Sequence, residues 1–97
     1  MSLKAITRFG PHLKEVRLHL CLTTESSAGV REFISKHYHR VKQTNPNLPI
    51  LIREAKDIEP MLWIRFEYGR ERNVSVTGLS GDQLLQTIQD LAIDRQS

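Results

Sequence analysis

Asn45-Pro46-Asn47-Leu48-Pro49-Ile50-Leu51-Ile52-Arg53 decides the fold, because within these residues one helix has to stop and one strand has to start. A proline disfavours the helical conformation of the residue before it and brings no backbone donor of its own, so Asn45-Pro46 is a helix terminator. Leu48 to Arg53 then forms a short apolar run bounded by turn signals, the pattern of a buried strand. Working back, Val30, Phe33, Ile34, Tyr38 and Val41 recur at the i, i+3, i+4, i+8, i+11 spacing of an amphipathic helix that follows the polar turn Thr23 to Gly29. Before that turn, Val16, Leu18, Leu20 and Leu22 alternate with Arg17, His19 and Cys21, which predicts a strand with one buried face. About 26 residues lie between the two strands, enough for a helical crossover between parallel neighbours, so the first half reads as a right-handed βαβ unit.

Past the loop Ala55 to Pro60, Leu62, Ile64, Phe66 and Tyr68 alternate with Trp63, Arg65 and Glu67. A short turn containing Gly69 leads on to Asn73 to Thr77, and together these form a β-hairpin. Ser80-Gly81-Asp82-Gln83 is a capping box, with Leu79 and Leu84 at the staple positions around it. Leu84, Leu85, Ile88, Leu91 and Ala92 supply the buried stripe of a final helix before a frayed tail. The expected architecture is α/β: a four-stranded mixed sheet, βαβ then ββα, with two helices on one face. It forms one domain over 15–97, behind a basic leader over 1–14.

Composition sets the outer limits. Ninety-seven residues with 39% hydrophobic and 26% charged content support one modest core and do not match a disordered chain. The longest apolar runs, Leu20 to Leu22 and Leu48 to Ile52, fall far short of the roughly 20 residues of a membrane span. The first residues lack the continuous apolar stretch of a secretory signal. They carry Lys4, Arg8 and Lys14 with no acid before Glu15, and Leu3, Ile6 and Phe9 recur at helical spacing, the charge pattern of an organelle-import segment. Pro11 shortens any such helix, and a solvated leader with no address is the other reading. The net charge of +3 points to acidic partners or nucleic acid, but the excess is small.

Chemistry is hard to place on this chain. Cys21 is the single cysteine, in the run Cys21-Leu22-Thr23-Thr24, so a two-thiol redox cycle cannot close within the monomer. The simplest reading of Cys21 is a small, partly covered strand residue. His19 and Cys21 share a strand face, yet two ligands are too few for a metal site. His37 and His39, two apart on a helix, diverge and read as surface or boundary histidines. There is no phosphate-cradling glycine loop, and no catalytic, cofactor or metal residue is expected.

What the pattern does place is a surface. Val16, Leu18, Leu20, Leu62, Ile64, Phe66, Val74 and Val76 form the sheet face that both helices cover. Arg17, His19, Cys21, Arg53, Trp63, Arg65, Ser75 and Thr77 form the other face, which no helix remains to cover. Within it Arg17, His19, Arg53, Trp63 and Arg65 are the candidate docking residues. Clustered arginines can grip carboxylates or phosphates bidentately, or else stand as independent solvated charges. Trp63 is either an interface anchor or a filler at the end of the core.

Several stretches resemble a known family: Arg17-Leu18-His19-Leu20-Cys21, Gly29-Val30-Arg31-Glu32-Phe33-Ile34, Asn45 to Glu54, Pro60-Met61-Leu62-Trp63, Tyr68-Gly69 and Asn73-Val74. Together, over about Glu15 to Ile93, they are similar to a family of small accessory subunits of mitochondrial NADH:ubiquinone oxidoreductase, respiratory complex I. The resemblance implies a thioredoxin-like fold without catalytic residues or cofactor. It also implies a place on the matrix-side peripheral arm at the inner membrane, with other complex I subunits as partners and the largest iron–sulfur subunit foremost. The family shares its domain type with certain mitochondrial ribosomal proteins, which makes an RNA-binding module the alternative, although the modest net charge argues against nucleic acid. In the family pattern a second cysteine often follows the Arg-Glu pair; this chain has Ala55 there, so no such thiol pairing can form. Pro60 resembles the proline that is cis in thioredoxins, and the sequence leaves its isomer open.

Overall fold

The structure is a computed structural model and describes Phe9 and residues 12–92. Four strands, β1 (Leu13–Leu20), β2 (Ile50–Glu54), β3 (Met61–Phe66) and β4 (Glu71–Ser75), form one sheet in the order β2-β1-β3-β4. β1 is parallel to β2 and antiparallel to β3, and β3 is antiparallel to β4. Three helices accompany it, α1 (Ala28–Lys36), α2 (Tyr38–Thr44) and α3 (Gly81–Ala92). This is the expected mixed α/β sheet, with a thioredoxin-like order of elements.

The core lies between one sheet face and the helices. Val16, Leu18 and Leu20 of β1 and Leu62, Ile64 and Phe66 of β3 meet Val30 and Phe33 of α1, Val41 of α2 and Leu84, Leu85 and Ile88 of α3, all buried. Burying a dozen large apolar side chains in this way is the main term that opposes chain entropy in a domain of this size. The capping box forms as read: Gln83 N–H donates to Ser80 Oγ (3.1 Å) and Ser80 N–H to Gln83 Oε1 (2.8 Å). Leu79 packs against the core beside it.

The expected single first helix is two, α1 and α2, joined at His37 (φ −120°, ψ −24°). The backbone bonds His37 N–H to Phe33 O and Val41 N–H to His37 O carry through the kink, so the chain bends without unwinding. Its cause is lateral: His37 takes an inward position beside Phe33 and is drawn toward α3, so it is not the surface or boundary histidine expected.

Two other expectations give way. Val74 pairs with Leu62 on the helix-covered face but is 36% exposed, because β4 is the edge strand and the helices roof β1 and β3; Val76, beyond its end, is the buried one. Leu22 does not extend β1 and is 55% exposed, since the chain turns away after Leu20, whose carbonyl accepts from Ala55 N–H (3.1 Å). β1 also starts early, with Leu13 already buried. Of the leader's apolar set, Leu3 and Ile6 lie outside the described residues. Phe9 packs on the core, its N–H donating to Asn45 Oδ1 (2.8 Å). The Glu59–Pro60 peptide is trans.

Candidate functional site: the open sheet face

Strand register assembles the uncovered face into three rows of cross-strand neighbours. The first row is Arg53, His19, Met61 and Ser75, the second Leu51, Arg17, Trp63 and Asn73, and the third Glu15, Arg65 and Glu71. Side chains opposite one another on a sheet face are near enough to interact, so each row is a contact set. All five candidate docking residues, Arg17, His19, Arg53, Trp63 and Arg65, are therefore brought together on one surface, as alternation alone predicted.

The charges on that surface differ from a bare basic patch. Arg65 Nη2 donates to Glu15 Oε1 (2.5 Å) and Arg17 Nε to Glu15 Oε2 (2.8 Å), with Glu71 Oε2 a further 3.7 Å from Arg17 Nη2. The two guanidiniums, Arg65 first, hold the Glu15 carboxyl below the usual carboxylate range. The Arg17 guanidinium also lies 5.9 Å from the Trp63 ring centroid, within cation–π range. Arg17 and Arg65 are thus paired within the protein, and the two glutamates that pair them were not among the sequence candidates. Their signal was present: Glu15 and Glu71 sit at even spacing in strands whose alternate residues were already assigned to this face.

Arg53 differs from the other two. It is exposed at the end of β2 and has no carboxylate partner among the described residues. Beside it, His19 lies 6.2 Å from Trp63 between ring centroids. Burial, then the charges of Arg17 and Arg53, push the His19 pKa down, so the ring is neutral at physiological pH. Trp63 is half-buried, and its Nε1–H is covered with no acceptor among the described residues. The face therefore has an apolar pair, Met61 and Trp63, on β3 with Leu51 set apart on β2 beyond Arg17, a self-neutralised flank at Glu15, Arg17, Arg65 and Glu71, and, among the described residues, one unpaired cation at Arg53.

Cys21, expected on this face, is not on it. β1 ends at Leu20, and Cys21 is buried at 2% exposure behind the end of the strand. Its N–H donates to the buried Ser27 Oγ (3.0 Å), and its carbonyl, with that of Thr24, takes the Arg31 guanidinium (3.0 and 2.9 Å). The sulfur lies 3.5 Å from the Thr23 hydroxyl and 3.4 Å from the Asp57 nitrogen, which a left-handed Asp57 (φ 58°) aims at it. These donors, the Thr23 hydroxyl first, bring the thiol down to about 6. A cavity of about 380 Å³ opens beside it between Leu22, Thr23, Glu54, Ala55 and Lys56. Ala55 stands in that wall, so the thiol has no second sulfur to meet. Thr77, also expected on the open face, lies in the turn after β4, its N–H bonded to Ser75 Oγ (3.4 Å).

A second polar cluster, unforeseen in the sequence, ties α1 to α3. His37 Nε2–H donates to Asp82 Oδ1 (2.7 Å), Glu32 Oε1 accepts from Gly81 N–H (2.7 Å), and Lys36 bridges both acids. Two carboxylates at the start of α3 complement its unpaired N–H groups, which makes the cluster a helix-docking device. Among the described residues no group of His, Cys, Asp or Glu has the arrangement of a metal site, and no helix is long and apolar enough to cross a membrane.

Residues 30–80 match the mitochondrial ribosomal protein L51/S25/CI-B8 domain. The chain is 44% identical over 79 residues to NADH dehydrogenase (ubiquinone) 1 alpha subcomplex subunit 2 of Mus musculus, covering 81% of this chain and 80% of that one. It is 42% identical over 79 residues to the subunit of the same name in Arabidopsis thaliana, covering 81% of each. It is 43% identical over 83 residues to the NADH-ubiquinone oxidoreductase 10.5 kDa subunit of Neurospora crassa, covering 86% and 88%.

Proposed function

The chain belongs to the family of the NADH dehydrogenase alpha subcomplex subunit 2 proteins, within the L51/S25/CI-B8 domain type, and on that premise we propose that it is a non-catalytic accessory subunit of mitochondrial respiratory complex I. One observation carries the proposal: the likeness covers about four-fifths of both partners at more than 40% identity, so it extends over most of the chain and is not confined to a short motif. The complex is associated with the inner mitochondrial membrane. The finer placement, on the matrix-side peripheral arm against the largest iron–sulfur subunit, belongs to the same proposal.

Within that assembly the open sheet face is the docking surface. Its aromatic and apolar floor with a polar rim has the composition of an interface core, and hot spots favour tryptophan and arginine in that setting. Cys21 is buried, and a lone thiol cannot resolve a mixed disulfide within the monomer, which leaves the chain without a dithiol redox cycle. An RNA-binding role finds less support, because two of the three arginines on the face already hold carboxylates and Glu15 and Glu71 would repel a phosphate backbone.

The test is native-gel fractionation of mitochondrial membranes that express the tagged protein. The protein is expected to migrate with NADH dehydrogenase activity, and Trp63→Ala is expected to release it while the purified variant stays folded. Migration apart from that activity would sink the assignment to complex I, and a Trp63→Ala variant that stays bound would move docking off the sheet face.

A further inference from the structure

Arg53 is the one guanidinium on the open face that the protein leaves unmatched among the described residues. Arg17 and Arg65 are held by Glu15 and Glu71, whereas Arg53, at the β2 edge, is exposed and its cross-strand neighbour is His19. His19 in turn lies 6.2 Å from Trp63 between ring centroids, Met61 is its neighbour on β3, and Leu51 stands on β2 across Arg17 from Trp63. An unpaired cation beside an imidazole, at the border of an apolar strip, is complementary to a carboxylate with an apolar neighbour.

We propose that the open face takes an extended segment of a neighbouring protein that carries one carboxylate, seated on Arg53 and His19, with the adjacent apolar side chain on Met61 and Trp63. This rests on the reading of the face as the docking surface and adds the chemistry of its partner. A polyanionic strand such as RNA fits less well, since successive phosphates would run onto Glu15 and Glu71, whereas a single carboxylate need reach only the Arg53 end.

Binding of this kind carries a proton with it. The charged groups facing His19 are Arg17 from its own strand and Arg53 from β2; Met61 and Trp63 from β3 bring none, Ser75 of β4 holds the Glu59 carboxylate (2.7 Å) at the far end of the row, and the helices lie on the opposite face. In the free protein both neighbours are positive and His19 is neutral. A carboxylate set between Arg53 and His19 favours the imidazolium, so the complex takes up a proton and tightens as pH falls through the window between the free and bound His19 values.

Trp63 is the only tryptophan, which makes its fluorescence a direct reporter of this face. The intact protein is titrated with a short leucine-containing peptide that bears a single glutamate, with its glutamine counterpart, and with an oligouridylate. The acidic peptide is expected to shift Trp63 emission and to bind at least about tenfold more tightly than the glutamine peptide. Arg53→Ala, at an exposed position, is expected to remove that preference with the melting temperature unchanged. Affinity is expected to rise from about pH 8 to about pH 6 in the wild type and to stay level in His19→Gln. Equal binding of the two peptides, tighter binding of the oligouridylate, or a pH dependence that survives in His19→Gln would each overturn the proposal. Because complex membership is read separately by co-migration, a protein that joins the complex yet ignores the acidic peptide overturns this inference alone.

Discussion

Gly29 of α1 lies directly against the carbonyl oxygen of Leu79, so closely that a Cβ built on the glycine would overlap that oxygen. The turn before α3 rests on the bare backbone of α1 at this point. Gly81 makes the return contact, where an added Cβ would come within 2.9 Å of the Phe33 nitrogen and the Glu32 side chain. Two glycines thus let α1 and α3 approach closely enough for the Glu32 and Asp82 bonds to close.

Gly29→Ala is therefore expected to destabilise the domain by about 3 kcal/mol, despite alanine's higher helix propensity, because the clash is with rigid backbone. A thermal melt lowered by more than about 10 °C would agree. An unchanged or raised melting temperature would remove the close-approach argument.

Phe66 and Val74 test where the core ends. Phe66 is 1% exposed, and Phe66→Ala should cost about 3 to 5 kcal/mol, enough to threaten folding. Val74→Thr on the edge strand should stay within about 0.5 kcal/mol. Chemical denaturation midpoints of the two variants give the comparison, and a large loss from Val74→Thr would return that residue to the core.

Glu15 predicts a pH dependence. Its folded pKa is below the ordinary carboxylate value, so the stability it contributes is present above that value and is lost as pH falls through the folded one. Wild type should exceed Glu15→Gln by about 1 to 2 kcal/mol at neutral pH, as for a covered carboxylate with two charge-assisted bonds. That gap should close on acidification below about pH 4. Denaturant midpoints at both pH values would show it, and a gap independent of pH would mean that Glu15 acts through packing alone.

Cys21 should titrate early while reacting slowly. The ultraviolet absorbance of its thiolate is expected to appear with a midpoint near 6. Burial should nevertheless slow a bulky maleimide far below its rate on the unfolded chain. A midpoint in the ordinary range of a free thiol would show that the Thr23 and Asp57 donors do not reach the sulfur in solution.

The sequence by itself determined the order of the strands and of the helical segments between them, though not the break at His37, together with the capping box at Ser80 and Gln83, the lone thiol and the membership of Arg17, His19, Arg53, Trp63 and Arg65 in one face. Each of these depends on near neighbours: alternation has a period of two, a helical stripe one of 3.6, and a cap spans three residues. Tertiary structure decided what those residues meet. Glu15 reaches Arg65 fifty positions away, and His37 reaches Asp82 across forty-five. Register and helix packing set such distances, and no local period encodes them. The same cause took Cys21 off the face and left Val74 exposed, because where a strand stops and how far a helix roofs its edge depend on how the elements dock.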